Sequence, residues 1–419
     1  MLKARHYVTS AALTLTKLVS ALLVGKIFAL NGTKEEFGVY NQLFSVMALL
    51  TALVSFGSQN AMAALLKRNG DDHRILKVSL VLVSLLCCLI SLSFLLFNVP
   101  ISNVLFPNID DSSSLLYLLS FSLFLYAYSA LFTGLASAYG DTKKILFANL
   151  STPLIGGIVL FVTALNNIKH ANYVYIFMPG LPALYFICHY RNNIIKAVNS
   201  KTERFLFKSH LKYSAMGVLG LVSVPLYQVH LRSVLGETNN WDLIGNWGVM
   251  TRFTDLLLIF INILFSVFLV PSIAQSTSNK LQGFLRSVFK LCIFSFSSLL
   301  LIYLFREWLV TLVFDGKFLP AVNESGFIYQ LLGDFFKILA FSIAYYILIE
   351  GRLVFNVILQ FTQLAIYIFL ISSFGHHDLN GLGMANFLTY AAYTVIVILS
   401  FLLLIRTSVK KEASHDSSK

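Results

Sequence analysis

Six basic residues, Lys17, Lys26, Arg232, Arg252, Lys290 and Lys337, stand inside stretches that are otherwise apolar, and only Asp255 and Asp334 oppose them there. If those stretches cross a bilayer, each charge costs roughly 2.5–3.5 kcal/mol on insertion scales. Most of them must then face a cavity or a partner. Arg252 and Asp255 are three residues apart and share one helix face; Asp334 and Lys337 repeat the spacing with the signs reversed. If the two helices touch, Arg252 could meet Asp334 and Asp255 could meet Lys337. Two readings fit: a neutral structural quartet, or a charge latch or proton-linked site that rearranges during a working cycle. Lys17 has no acidic residue at similar depth in the first half of the chain, so it either faces a bound anion or is neutral. Lys26, Arg232 and Lys290 lie nearer the ends of their stretches, where long side chains can reach polar surroundings. Lys17 and Lys26, nine positions apart, are about half a turn out of phase. With the quartet paired, the interior keeps positive charge. That suits an anion such as a diphosphate and disfavours a cationic drug or a metal ion.

Other chemistries find little support. Cys87, Cys88, Cys188 and Cys292 lie in apolar runs without disulfide or metal spacing, and read as core packing. His376-His377 has no further ligand nearby to complete a metal site. The doublets Glu35-Glu36, Asp71-Asp72 and Asp110-Asp111 read as solvated loop charges. No glycine loop of the phosphate-binding type appears. No cofactor is expected, and any work must draw on a proton or sodium gradient, the membrane potential, or downstream consumption.

The elements that position these charges follow from composition. Hydrophobic residues make up 57% of the 419 and charged residues 12%, against roughly 45–50% and 25% in soluble domains. Such a chain needs lipid as its solvent, and lipid demands helices whose backbone groups pair internally. Apolar runs of about 20 residues fall near 8–30, 40–66, 78–98, 113–136, 145–165 and 171–189, and again near 211–235, 243–271, 284–304, 325–349, 353–374 and 380–405. The fold expected is an all-α polytopic membrane protein of about twelve spans. Lys17 and Lys26 interrupt the first run, which argues for a retained span and not a cleaved signal.

The loops orient these spans. Of the 31 basic residues, 21 lie at the termini or in alternate loops, whereas the opposite side holds only Lys34, Lys169, Arg306 and Lys317. The positive-inside rule places both termini in the cytoplasm. The net charge of +12 therefore reflects loop placement, and no nucleic-acid partner is implied.

The basic stretch 191–210 divides the spans into a six-helix lobe over 1–190 and another over 211–405, followed by a polar cytoplasmic tail over 406–419. A faint repeat crosses it. Ser10-Ala11, Lys26, Gly32 and Gly38-Val39-Tyr40 answer to Ser214-Ala215, His230, Gly236 and Gly245-Asn246-Trp247, the pattern of parallel repeats in two-lobed transporters. Span seven carries Gly217, Gly220 and Pro225, and proline removes a backbone donor inside a helix. Gly220 and Pro225 are the candidate hinge, with ordinary membrane-helix packing as the alternative.

The stretch His230-Leu231-Arg232-Ser233-Val234-Leu235-Gly236, then Gly245-Asn246-Trp247, Arg252-Phe253-Thr254-Asp255 and Pro271, resembles the signature region of O-antigen flippases. Leu312-Val313-Phe314, Phe318-Leu319-Pro320-Ala321, Gln330-Leu331-Leu332-Gly333-Asp334 and Lys337 agree with it. So do Lys26-Ile27-Phe28-Ala29 and Phe37-Gly38-Val39-Tyr40-Asn41-Gln42-Leu43. The specific motifs cover about a quarter of the chain. The family sits in the multidrug/oligosaccharidyl-lipid/polysaccharide exporter superfamily. The resemblance implies a MATE-like fold with two six-helix lobes around a cationic cavity. It also implies translocation of undecaprenyl-diphosphate-linked oligosaccharide units between the leaflets of a bacterial inner membrane.

On that reading Lys26, Arg232, Arg252 and Lys337 are substrate-binding candidates, with Lys17 added for its depth and isolation. Asp255 and Asp334 are the coupling or latch candidates, and His230 is placed to tune the site for one glycan. Membrane lipid, a polysaccharide polymerase and a chain-length regulator are the expected partners. Three rivals share its length or its polytopic character: the polymerase itself, a membrane glycosyltransferase, and a MATE-type drug exporter. The first would carry a large external loop, the second a trusted carboxylate pair at the outer surface, and the third intramembrane acids in the first six spans.

Overall fold

The computed structural model describes residues 2–69, 73–201, 204–264, 280–349, 352–374 and 378–416; some side chains within its helices, those of Lys17 and Gly220 among them, lie outside the description. Wherever their residues are described, which leaves out 265–271 of the eighth, the expected spans fall on helix. In chain order these are α1 (Leu2–Asn31), α2 (Lys34–Ser55), α3 (Ser58–Asn69), α4 (His73–Leu96), α5 (Asn98–Leu105), α6 (Ser112–Ala138), α7 (Thr142–Ser151), α8 (Gly157–Asn166), α9 (Ile168–Phe177) and α10 (Leu181–His189). They continue as α11 (Arg191–Asn199), α12 (Arg204–Glu237), α13 (Trp241–Leu264), α14 (Lys280–Leu304), α15 (Arg306–Val313), α16 (Leu319–Asn323), α17 (Ser325–Ile349), α18 (Leu353–Phe374) and α19 (Leu379–Asp416). Among the described residues nine helices are long and apolar enough to cross a membrane, and no strand is present. The chain is a polytopic all-α membrane protein.

Apolar stripes stand exposed at helical spacing: Leu85, Leu89, Leu92 and Leu96 on α4, Ile158, Val162 and Leu165 on α8, and Ile293, Phe296, Leu300 and Leu304 on α14. In water such faces would drive aggregation; in hydrocarbon they are the solvated surface. The same physics corrects the cysteine reading. Cys87 is buried, but Cys88 and Cys188 are exposed, because an apolar residue on a membrane helix has lipid as well as core available to it.

Two expected elements come out differently. The second span is broken: α2 ends at Phe56 (φ 45°) and Gly57 (φ 62°), and α3 resumes at Ser58. A Cβ on Gly57 would lie 2.5 Å from the Ser214 carbonyl oxygen, so the break lets two backbones meet. At the start of α2, Thr33 and Glu36 form a reciprocal capping box, which fixes the helix entry. The basic stretch expected as a loop over 191–210 instead contains α11 and the first turns of α12. Lys77 donates to the carbonyls of Val198 (2.9 Å) and Ser200 (2.5 Å). A cation there satisfies carbonyls that the end of α11 leaves open.

Contacts group the chain into two compact units, residues 1–248 with 313–315 and residues 249–312 with 316–419. The first has an aromatic centre in which Phe28 stacks on Tyr40 (4.4 Å) and Tyr175 leans on both. The second is centred on Phe284, Tyr346 and Phe401, with Ile338, Ile347, Tyr390 and Tyr393 around them. Its helices α17 and α19 pack closely because Gly326, Gly333 and Gly383 carry no side chain; a Cβ on Gly383 would sit 2.2 Å from the Gly326 carbonyl oxygen. Small residues at crossings are the usual means of close helix approach in lipid.

Outside the spans, the turn between α6 and α7 is tied to the end of α10. Asp141 accepts from Lys144 (2.6 Å) and from the Tyr190 hydroxyl (2.9 Å). Burial pushes the Asp141 carboxyl up, but those two hydrogen bonds outweigh it and hold the group below the ordinary carboxylate range. A depressed carboxylate stabilises the fold above its unfolded pKa of about 3.9, and that contribution disappears as pH falls through the folded value. Asp141→Asn should therefore cost about 0.5–1 kcal/mol near neutrality, small because the pair is partly exposed. In detergent, wild-type and variant melting temperatures should differ at pH 7, keep most of that difference at pH 4, and converge only as pH falls further through the depressed folded value.

Candidate functional site

The residues singled out by chemistry fall into two buried polar clusters, one in each unit. In the first unit α2 carries Asn41, Gln42 and Ser45, a polar group in an otherwise apolar helix, and all three are buried. Arg232, 3% exposed, reaches across from α12. Its Nη1 donates to the Asn41 carbonyl (2.8 Å) and to the Ser45 hydroxyl, and the guanidinium lies over the Trp247 ring at 5.0 Å. Gln42 Nε2 donates to the Leu105 carbonyl (2.6 Å) and to Ser233 Oγ (3.1 Å), and Ser45 donates to Gln228 (3.1 Å). The sequence allowed Arg232 to reach toward the interface, but the structure buries it. Charge-assisted hydrogen bonds and an aromatic face replace the hydration it gives up.

Close backbone approach builds this cluster. A Cβ on Gly38 would lie 2.3 Å from the Trp241 carbonyl oxygen, one on Gly245 would lie 2.1 Å from that of Lys34, and one on Gly248 would lie 2.2 Å from the Asn41 amide. Gly38 and Gly245 hold equivalent places in the sequence repeat, and here they pack directly against one another. The sequence pattern related them; only the fold brings them into contact.

In the second unit Asp334, 2% exposed, accepts from Gln330 Nε2 at 2.7 Å. The Thr254 hydroxyl of α13 is also within its hydrogen-bonding reach, and both Lys337 and Asp255 act on it electrostatically. Lys337 lies over the Tyr390 ring at 5.4 Å, and Tyr390 accepts from Gln363 at 3.0 Å. Arg252 is buried and Asp255 half-buried on α13. Asp334, Lys337 and Asp255 thus form one cluster, joined through Thr254. Sequence reasoning passed over Thr254, Tyr390 and Gln363. A threonine between Arg252 and Asp255 was the available signal for the first; the others come from helices with no charged residue near them.

The remaining candidates are more scattered. Lys26 is half-buried on α1. Lys17 lies in α1 with its side chain outside the described residues, as do the surroundings of Gly220 and all of Asp71-Asp72, Pro271 and His376-His377. Pro225 sits inside α12, which runs unbroken from Arg204 to Glu237. Lys290 is exposed on α14, and His230 is exposed beside the buried Arg232. No group of three or more His, Cys, Asp or Glu side chains arranged for a metal occurs among the described residues.

The Asp334–Lys337 interaction can be tested by separating its part in stability from the latch role proposed for it. Removing one partner of a buried ion pair costs about 3–5 kcal/mol, whereas replacing both with apolar side chains is often neutral. Asp334→Leu and Lys337→Met should each lower folded yield, and the double variant should recover it. If the cluster is a latch, the recovered double variant should still fail to export. Full export by the double variant would assign the pair to structure alone.

Residues 8–277 match the model of the polysaccharide biosynthesis protein family. The chain belongs to that family. Among its relatives, the Lipid III flippase of Escherichia coli (strain K12) is 25% identical over 94% of this chain and 97% of that protein, and the Lipid III flippase of Shigella flexneri matches equally. Solved structures extend the likeness to the fold. An inward-facing multidrug resistance MATE family transporter of the MOP superfamily superposes with a TM-score of 0.70 at 15% identity, covering 94% of this chain and 96% of that one. The lipid II flippase MurJ in an inward closed conformation gives 0.68 at 16% identity, covering 94% and 86%. This member of the family therefore has the MATE-like fold that its sequence motifs implied.

Proposed function

We propose that this protein is a flippase that carries undecaprenyl-diphosphate-linked oligosaccharide units from the cytoplasmic to the periplasmic leaflet of a bacterial inner membrane, for surface polysaccharide of the O-antigen kind. The observation that carries the reading is the near full-length similarity to the Lipid III flippases of Escherichia coli (strain K12) and Shigella flexneri. The buried basic side chains support it, because a diphosphate crossing hydrocarbon must exchange its hydration for fixed cationic and hydrogen-bonding partners. Lys17, Lys26, Arg232, Arg252 and Lys337 are proposed to do this, with Asp255 and Asp334 changing partners as two lobes alternate in access around a central cavity. Gly220 and Pro225 are the proposed hinge. The polyprenyl tail stays in lipid, and a proton or sodium gradient or the membrane potential drives the cycle.

The MATE likeness in fold keeps a drug-export reading in view, but among the described residues the acidic ones of the first six spans' region, Glu35, Glu36, Asp110, Asp111 and Asp141, lie in a turn or at a helix end. A transporter of lipid-linked saccharide fits the charges better than either a drug exporter or an enzyme. Deleting the gene should abolish surface polysaccharide and make single lipid-linked units accumulate facing the cytoplasm. If single units still reach the surface but fail to polymerise, the protein is the polymerase.

A further inference from the structure

α11 and the first turns of α12 lie on the side that the loop charges assign to the cytoplasm. Over 191–212 six basic residues stand against one acid, Glu203. The positive-inside rule accounts for such cations, but not for the apolar side chains placed among them. Val198 is 58% exposed and Phe205 73%, and Ile195, Phe207 and Leu211 are exposed beside them. At nine residues α11 is too short to cross a bilayer, so its apolar exposure is not that of a spanning helix.

The fold fixes which faces are presented. α11 packs against α4; Ala197 is buried, and Lys77 of α4 takes the carbonyls of Val198 and Ser200. Arg191, Ile195 and Val198, spaced i, i+4 and i+7, share an exposed face of α11. In α12 the buried Leu206 and His210 mark the inward side, and Phe205, Lys208 and Leu211 stand exposed about half a turn away. Lys201 is exposed in the turn between the two helices. Each exposed face therefore interleaves cations with large apolar side chains. That is the composition of a segment lying in the headgroup region, where apolar residues reach the acyl boundary and cations meet anionic groups. Beyond Leu211, α12 continues into span seven, so the segment already stands at the membrane surface.

We propose that α11 and the first turns of α12 form a binding surface for anionic phospholipid headgroups of the adjoining leaflet. A single compact diphosphate would need cations converging on one point. Here Arg191 and Lys196 are about 7.5 Å apart along the helix axis, with Lys201 in the following turn and Lys208 on the next helix. Such a dispersed row fits several separate headgroups. Direct continuation into a membrane span favours lipid over a soluble protein as the cover for Val198 and Phe205. The inference needs only the membrane placement of the chain and stands apart from the flippase reading.

The test is fluorescence quenching of full-length Phe205→Trp protein in vesicles of phosphatidylcholine and phosphatidylglycerol, with one lipid or the other brominated so that it quenches a nearby indole. The signal added over wild type separates position 205 from Trp241, Trp247 and Trp308. Brominated phosphatidylcholine alone should quench the added signal. Phosphatidylglycerol should bind about tenfold more tightly, a preference that salt screens. Adding Arg191→Gln/Lys201→Gln/Lys208→Gln should erase the preference while quenching by phosphatidylcholine persists; Lys169→Gln, on the other side, should change nothing. All of these positions are exposed, so the variants leave the core intact. No quenching by either lipid would put the face in water, as a surface for a soluble protein would be, and overturns the proposal. Equal binding of the two lipids, or a preference that survives the triple variant, overturns it as well. Displacement of phosphatidylglycerol by undecaprenyl phosphate at far lower mole fraction would make the surface a landing site for the polyprenyl lipid and overturn the phospholipid assignment equally.

Discussion

Arg232→Ala should abolish export and lower stability together. The substitution removes a guanidinium that is 3% exposed and with it the charged donor to the Asn41 carbonyl and the Ser45 hydroxyl. Each hydrogen bond lost to a charged group costs about 1.5–3 kcal/mol. Losing the contact with Trp247 adds about 2 kcal/mol for a desolvated cation–π pair. A substrate-binding role alone predicts lost flipping with insertion intact; the buried contacts add the stability cost. Arg232→Lys separates the two roles. It keeps the charge, but an ammonium is a compact point charge and lacks the planar fork that spans several partners. Folded yield should recover in part, while accumulation of lipid-linked units should stay close to that of the alanine variant. Thermal melting in detergent and the amount of cytoplasm-facing lipid-linked unit are the two readouts. Normal export by a well-folded Arg232→Ala protein would remove Arg232 from the substrate-binding proposal.

Gly245→Ala should be at least as damaging, although it adds a single methyl group. That methyl would lie 2.1 Å from the Lys34 carbonyl oxygen and 3.4 Å from the Gly38 nitrogen. Both neighbours are backbone, so no side chain can rotate away; α2 and α13 must separate. Overpacking of this kind costs about 1–3 kcal/mol or more, and separation would also pull Asn41 and Ser45 from Arg232. Gly38→Ala meets the Trp241 carbonyl oxygen in the same way and should give the same phenotype. Gly140→Ala is the contrast. Its left-handed φ of 73° makes the residue mildly strained, but a Cβ there meets nothing within 4 Å, so folded yield should fall far less. Membrane yield and melting temperature of the three variants, compared side by side, would check the ranking.

Much of this protein was legible without coordinates, for a physical reason. In lipid every backbone polar group must be satisfied within its own segment, so composition and run length alone determine an all-helical polytopic fold and set where its apolar helices lie, though not their ends or breaks. Charge spacing gave a shared helix face but not the partners: the expected pairings were Arg252 with Asp334 and Asp255 with Lys337. Three-residue separation put Asp334 and Lys337 on one helix face, and Asp334 does sit among Lys337, Asp255 and Thr254. The motifs carried the family.

Tertiary structure decided the rest, because partner choice in a membrane helix depends on which face meets protein and which meets lipid. Periodicity cannot tell these faces apart when both are apolar, which is why Cys87 is buried while Cys88 is exposed. It cannot show that Arg232 turns inward to Asn41, Ser45 and Trp247, since those partners lie far away in sequence or on another helix. Nor can it show that the Gly57 break admits α12, or that the acidic pairs at the start of α2 and before α6 line one cavity. The sequence alone determined that this chain is helical, lies in a membrane and carries costly buried charges. Which groups satisfy those charges was decided by close backbone approach at glycines, a contact set by three-dimensional packing.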